Sequence, residues 1–199
     1  MHSLNRFAAA VLALAVLHAP PARAQTPDPA ALPLHPGDRV LVRIFADTSL
    51  SDTLHVDHDG SVMLPRLGPL SLANVPASAV GDSVRKAYST ILRPVAVEVT
   101  PLRRVSVVGE VRKPDVLFLE TRATVRDAIS LAGGIDDIGQ TDPVLLMRNG
   151  RDIPLDHWRS RGDPEVIVRS GDVVIVQREP WVKRNIFSII SGVGIVVSL

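Results

Sequence analysis

Hydrophobic and polar positions alternate in short runs along most of this chain, interrupted by two stretches of helical period. Residues 39–45 follow a Gly37-Asp38 step and read as a strand. In "TLHVDHDGSVMLP", Leu54 and Val56 alternate with Thr53 and His55. Residues 57–60 supply a turn, and Val62 and Leu64 return, so the pattern predicts a hairpin. Residues 67–72 form another short extended piece. The period then lengthens. Val80, Val84, Ala87, Tyr88 and Ile91 fall on one helical face, with Pro76 suited to the first turn and Pro94 preventing continuation.

Two separate strands are expected next, one carrying Val95, Val97 and Val99, the other Val105 and Val107. A turn at Lys113-Pro114 leads into a strand over residues 116–119. Thr124 is a good N-cap for a helix through Val125, Ala128, Ile129 and Ala132, which Gly133-Gly134 ends. Arg148-Asn149-Gly150-Arg151 carries the strongest short hairpin signal, between residues 144–147 and 152–155. A second Gly-Asp step, Gly171-Asp172, starts the last strand, residues 173–177.

Strands, helix, strands, helix, strands make an α+β chain of two small strand-rich units, with a boundary near Leu102-Arg103. Structural turns are assigned to Gly37, Asp38, Gly60, Gly133, Gly134, Gly171 and Asp172. Glycine takes the positive φ that other residues avoid, and aspartate bonds to its own backbone.

The two ends follow a different pattern. Residues 7–17 are an unbroken apolar run after Arg6, too short to span a bilayer, and Ala22-Arg23-Ala24 offers a cleavage site. Residues 1–24 therefore read as a signal peptide and 25–33 as a Pro- and Ala-rich linker. Removing Arg6 and Arg23 takes the net charge from +1 to −1. An exported, nearly neutral protein gives no electrostatic reason to expect nucleic acid. Without cysteine, stability must come from an apolar core.

At the other end, Trp181 and Lys183-Arg184 precede the uncharged "IFSIISGVGIVVSL". Residues 181–199 read as a membrane segment, with Trp181, Ile186, Phe187, Ile189, Ile190, Val193, Ile195, Val196 and Val197 carrying the apolar surface. Ser188, Ser191, Gly192 and Ser198 form a small, mildly polar stripe for a pore or a neighbouring copy. As a helix this stretch falls short of a bilayer core, so several copies side by side would anchor better than one. Docking in the protein's own core and a final β-strand are the alternatives.

Catalytic and metal chemistry find no support in the pattern. His55, Asp57, His58 and Asp59 lack a separated third ligand cluster, so a solvated hairpin explains them. Asp136-Asp137 reads as a loop. Walker, Rossmann, nucleophile-elbow and zinc motifs are absent from the sequence. His157 beside Trp158 invites a sugar contact, but packing explains a lone tryptophan. Arg103-Arg104 and Arg112-Lys113 read as edge charges of a hairpin, which discourage aggregation, or as a contact for an acidic polymer. Neither a catalytic residue, a metal ligand nor a cofactor is assigned.

Pro36-Gly37-Asp38, Val56-Asp57-x-Asp59-Gly60, Leu64-Pro65, Leu67-Gly68 and the helix from Pro76 together resemble the polysaccharide biosynthesis/export family. Val108-Gly109-Glu110-Val111-x-Lys113-Pro114, then Thr124 to Ile135, Leu155-Asp156 and Ser170-Gly171-Asp172-Val173-Val174 resemble a soluble-ligand-binding β-grasp (SLBB) domain. The resemblance implies an export domain over 34–102, one β-grasp domain over 103–180 and the membrane segment beyond. It implies a ring-shaped homo-oligomer of the outer membrane and periplasm that passes capsular or exopolysaccharide, makes and breaks no bond, and meets an inner-membrane chain-length regulator. Typical members carry an acylated cysteine and longer ones a second SLBB domain. Neither is expected here, which throws anchoring onto residues 181–199. The alternative is a soluble periplasmic β-grasp module that binds sugar or a partner protein without forming a pore.

Overall fold

The computed structural model describes residues 28–45, 47–93, 96–160 and 167–184. The proposed signal peptide and every tail position beyond Arg184 lie outside these residues.

Strands β1 (Arg39–Ile44), β2 (Asp52–His55), β3 (Ser61–Leu64) and β4 (Gly68–Ser71) precede helix α1 (Ala77–Tyr88). Strands β5 (Val97–Gly109) and β6 (Asp115–Glu120) lead to helix α2 (Val125–Leu131). Strands β7 (Val144–Arg148), β8 (Arg151–Leu155) and β9 (Val173–Val176) follow, then the single-turn helix α3 (Trp181–Arg184). All but β3 and β4 join one mixed sheet of seven strands. The fold is α+β.

Two expectations need correction. The strands expected separately around Val99 and Val105 are one 13-residue strand, β5, which runs through the boundary placed at Leu102-Arg103. Within β5, Arg103 is sheltered rather than exposed. The hairpin over residues 53–65 keeps its turn, with Gly60 N–H bonded to the Asp57 carbonyl at 3.0 Å. Its two arms part company, however: β2 pairs with β1, whereas β3 pairs with β4. Leu54 and Val56 bury beside Val40, and Val62 and Leu64 bury beside α1, in one core. Alternation shows which face each arm buries, not which strand each one pairs with.

The register of β5 organises the molecule. Leu102 pairs with Arg39 of β1 and with Glu120 of β6, so those strands lie on opposite edges. Ser106 pairs with Val173 of β9 and with Val116 of β6, so β9 also lies opposite β6. Hence β1 and β9 stand end to end along the same edge. The antiparallel β1 starts beside Leu102 and runs one way; the parallel β9 starts beside Ser106 and runs the other.

Odd-numbered residues of β5 face two cores. Val97 and Val99 belong with α1 (Ala77, Val80, Val84, Tyr88) and Val40, Val42 and Ile44. Val105 and Val107 belong with α2 (Val125, Ala128, Ile129), Leu146, Trp158 and Val174. Each helix docks because its apolar residues recur at three- and four-residue spacing. A capping box closes α2, with Thr124 and Asp127 bonding each other's backbone. Gly133 and Gly134 end it at φ +80° and +86°. Asn149 and Gly150, both at positive φ, join β7 to β8.

Candidate functional site

Between the starts of β1 and β9, the edge of β5 lacks a strand partner over Arg103 to Val105, and the two Gly-Asp turns fill that gap. They share one geometry. In each, the aspartate N–H bonds back to the carbonyl three residues earlier, Asp38 to His35 and Asp172 to Arg169, at 3.0 and 3.1 Å. In each, an aspartate carboxylate oxygen accepts the N–H of that earlier residue, at 2.8 Å for His35 and 2.7 Å for Arg169. Gly37 and Gly171 hold φ +89° and +81°, the left-handed conformation a type II turn requires at its third position.

These aspartates are buried, at 1 % and 2 % exposure, which a carboxylate tolerates only when its oxygens are satisfied. Asp38 stands in for the missing strand, accepting the Arg104 N–H at 2.7 Å, while Arg104 accepts the Gly171 N–H at 2.9 Å. Its other oxygen accepts the Ser170 hydroxyl at 2.5 Å. Ser170 in turn accepts from Arg103 Nη1 at 3.0 Å. Asp172 receives a two-pronged contact from Arg148, Nε at 2.9 Å and Nη2 at 2.6 Å. Thus two turns 134 residues apart meet at one node (172 minus 38).

Arg103 corrects the edge-charge reading. It faces the seam between the cores at 1 % exposure. Its Nη2 donates to the carbonyls of Pro29 and Leu32, at 2.7 and 3.1 Å, fastening the incoming chain to the node. Burial pulls its pKa below the ordinary arginine value, opposed by the charges of Asp38 and Asp172. Burial likewise lowers Arg169, helped by the nearby Arg148 charge. Nothing in the local sequence separates Arg103 from the exposed Arg104; only the alternation of Val97, Val99, Val105 and Val107 on odd positions could have pointed inward.

The opposite face of the sheet differs between its halves. Around β1 it is polar, with Arg43 and Glu98 paired at 3.8 Å. Around β9 it is apolar. One lateral row runs Val108, Ile175, Leu145, Pro154; the next runs Val116, Ser106, Val173, Met147, Asp152. Helices α1 and α2 pack on the other side, and among the described residues Val108 and Val116 remain 38 % and 37 % exposed. An antiparallel sheet face turned to water ordinarily carries polar residues. Where the halves meet, the Arg39 guanidinium lies 3.6 Å from the Phe118 ring centroid.

The other sequence candidates scatter. Among the described residues no group of three or more His, Asp or Glu converges to hold a metal. Asp59 is exposed and accepts from the Ser61 hydroxyl and N–H, which hold its pKa below the usual carboxylate value. Gly60 takes φ +77° in that turn. His157 contacts Asp142 at 3.1 Å, and Trp158 is buried with its indole N–H on the Thr141 carbonyl. Trp181 is 65 % exposed. Ile186, Phe187, Ile189, Ile190, Val193, Ile195, Val196, Val197 and the Ser188, Ser191, Gly192, Ser198 stripe lie outside the described residues. Among those described, no helix is long and apolar enough to cross a membrane.

Residues 26–101 match the family model of polysaccharide biosynthesis/export proteins, and residues 103–176 match the SLBB domain. The two matches abut at Leu102, where β5 passes the node. Two sequences of the polysialic acid transport protein KpsD of Escherichia coli are each 29% identical over 125 residues. That alignment covers 59% of this chain but 22% of theirs, so the chain spans about a fifth of the length of the curated relatives it matches.

Proposed function

This chain belongs to the polysaccharide biosynthesis/export protein family and carries an SLBB domain, and from that premise we propose that it is one subunit of a ring-shaped channel for capsular or exopolysaccharide. The family's work is export rather than catalysis. In this reading the two folded units stand in the periplasm, residues 181–199 attach the ring to the outer membrane, and an inner-membrane chain-length regulator delivers the polymer.

The apolar rows of β5, β9 and β7, which no described element covers, carry the proposal. Water in contact with Val108, Val116, Ile175, Leu145 and Met147 is unfavourable by roughly 25 cal/mol per Å² of apolar surface. A second copy of this chain removes that surface from water, and repetition around an axis closes a ring. The node supports the same reading. By tying the start of the first unit to the last strand of the second, it lets neighbouring copies meet at a fixed angle.

Negative-stain imaging of the detergent-extracted full chain tests this. Closed rings are expected, and Val108→Asp with Ile175→Asp should abolish them while the far-ultraviolet circular dichroism stays unchanged. Strictly monomeric protein at high concentration, in detergent and in lipid alike, would overturn the channel and leave a binding module. Deleting residues 186–199 should release the protein from the membrane fraction and stop export; unchanged export would remove the membrane role of the tail.

A further inference from the structure

A cavity of about 420 Å³ runs alongside α2 and the turn that follows it, lined by Arg126, Ile129, Ser130, Gly134, Ile135, Trp158 and Arg159. We propose that it binds a carboxylate-bearing sugar unit of an acidic polysaccharide; this deepens the export reading by naming the class of polymer.

Among the described residues the lining has two cations and no carboxylate. Two other cavities lack this selectivity. The one of about 470 Å³ beside β6 sets Glu120 and Asp127 against Arg122, and the one of about 330 Å³ beside β2 carries Asp52 and Asp57. Asp127, the acidic neighbour nearest in sequence to Arg126, is occupied by Thr124 in the capping box.

Both guanidinium groups are held in place. Arg159 lies over the Trp158 ring, 4.9 Å from its centroid, and Arg126 Nη2 donates to the Arg159 carbonyl. The ring is itself immobilised, 4 % exposed with its N–H bonded to Thr141. Trp158 is therefore no stacking platform; it serves as the seat for Arg159. Two like charges fixed at one cavity mouth repel each other, and an anion reverses the sign of that interaction. Guanidinium matches a planar carboxylate in geometry and in hydrogen bonding. Ile135, only partly buried, supplies an apolar contact for the carbon face of a sugar ring. The volume lies within the range of small-ligand sites and fits one or two sugar units.

Fluorescence anisotropy of the detergent-solubilised full chain, titrated into labelled short oligomers of sialic acid, hyaluronan and neutral dextran, tests the inference. Both acidic oligomers should bind, more weakly as salt rises, and dextran should not. Losing one charge-assisted hydrogen bond, Arg126→Ala or Arg159→Ala should each weaken binding roughly tenfold. Arg66→Ala, in the first unit, should leave binding unchanged. Equal binding of dextran, or acidic binding that survives both arginine variants, overturns the site, as does no binding at all. Free sialic acid in excess should compete if a single sugar unit suffices; failure to compete shows that the polymer's neighbouring units contribute. Rings without binding would sink this inference alone, and binding without rings would sink only the channel.

Discussion

The two Gly-Asp turns are one local device with different partners. Each sets a glycine at positive φ, caps its own backbone with an aspartate and starts a strand at one end of the same short gap along β5. Asp172 then spends its carboxylate within the second unit, on Arg148. Asp38 spends its own on the Ser170 hydroxyl and the Arg104 N–H, joining the two units. The first turn therefore couples units, and the second holds one together. Local sequence dictates the turn; its surroundings dictate what the turn stabilises.

The sharpest way to break this comparison is Asp172→Asn. It leaves the Arg148 guanidinium buried without its counter-charge, and breaking a buried pair on one side costs about 3–5 kcal/mol. Denaturant unfolding followed by Trp158 fluorescence should show that loss, with the second unit failing first. Next is Asp38→Asn, which presents an amide donor to groups that are themselves donors. It should cost about 1–3 kcal/mol. It should also separate the circular-dichroism and fluorescence transitions, which are expected to coincide in the unaltered protein. A smaller effect, about 1 kcal/mol, is expected for Ser170→Ala, which removes only the relay between Arg103 and Asp38. A cost as large as that of Asp172→Asn would mean the units do not differ in how they are held.

Asp59 gives the exposed reference for these buried aspartates. Its folded-state pKa is depressed by Ser61, so its contribution is present above the unfolded carboxylate pKa and lost as pH falls through the folded value. Asp59→Asn should therefore have the smallest effect at neutral pH, and the difference from the unaltered protein should vanish on acidification. A difference that persists in acid would show that Asp59 acts through something other than its charge.

Much of the fold was legible in the sequence because it rests on local rules. Thr124 and Asp127 bond within four residues, Asn149-Gly150 closes a hairpin, and helical spacing picks out Val80, Val84 and Tyr88. The pairing of β2 with β1 and not β3, the continuity of β5, and the inward turn of Arg103 were not legible. The last two depend on partners dozens of residues away, and the first on a choice between β1 and β3, both near in sequence. The cavity at Arg126 and Arg159 was equally hidden, since it brings the first turn of α2 to a turn 33 residues later in the chain.

The sequence by itself determined where chain direction changes, which side of each element is apolar, and that Gly37-Asp38 and Gly171-Asp172 each begin a strand. Those outcomes follow from backbone sterics and from hydrogen bonds between near neighbours. Only the tertiary structure decided that the two strands begin on either side of one short stretch of β5, that Asp38 reaches Ser170, and that no described element covers one apolar face of the sheet. Strand pairing over long separations is set by which surfaces bury one another, and no local pattern contains that information.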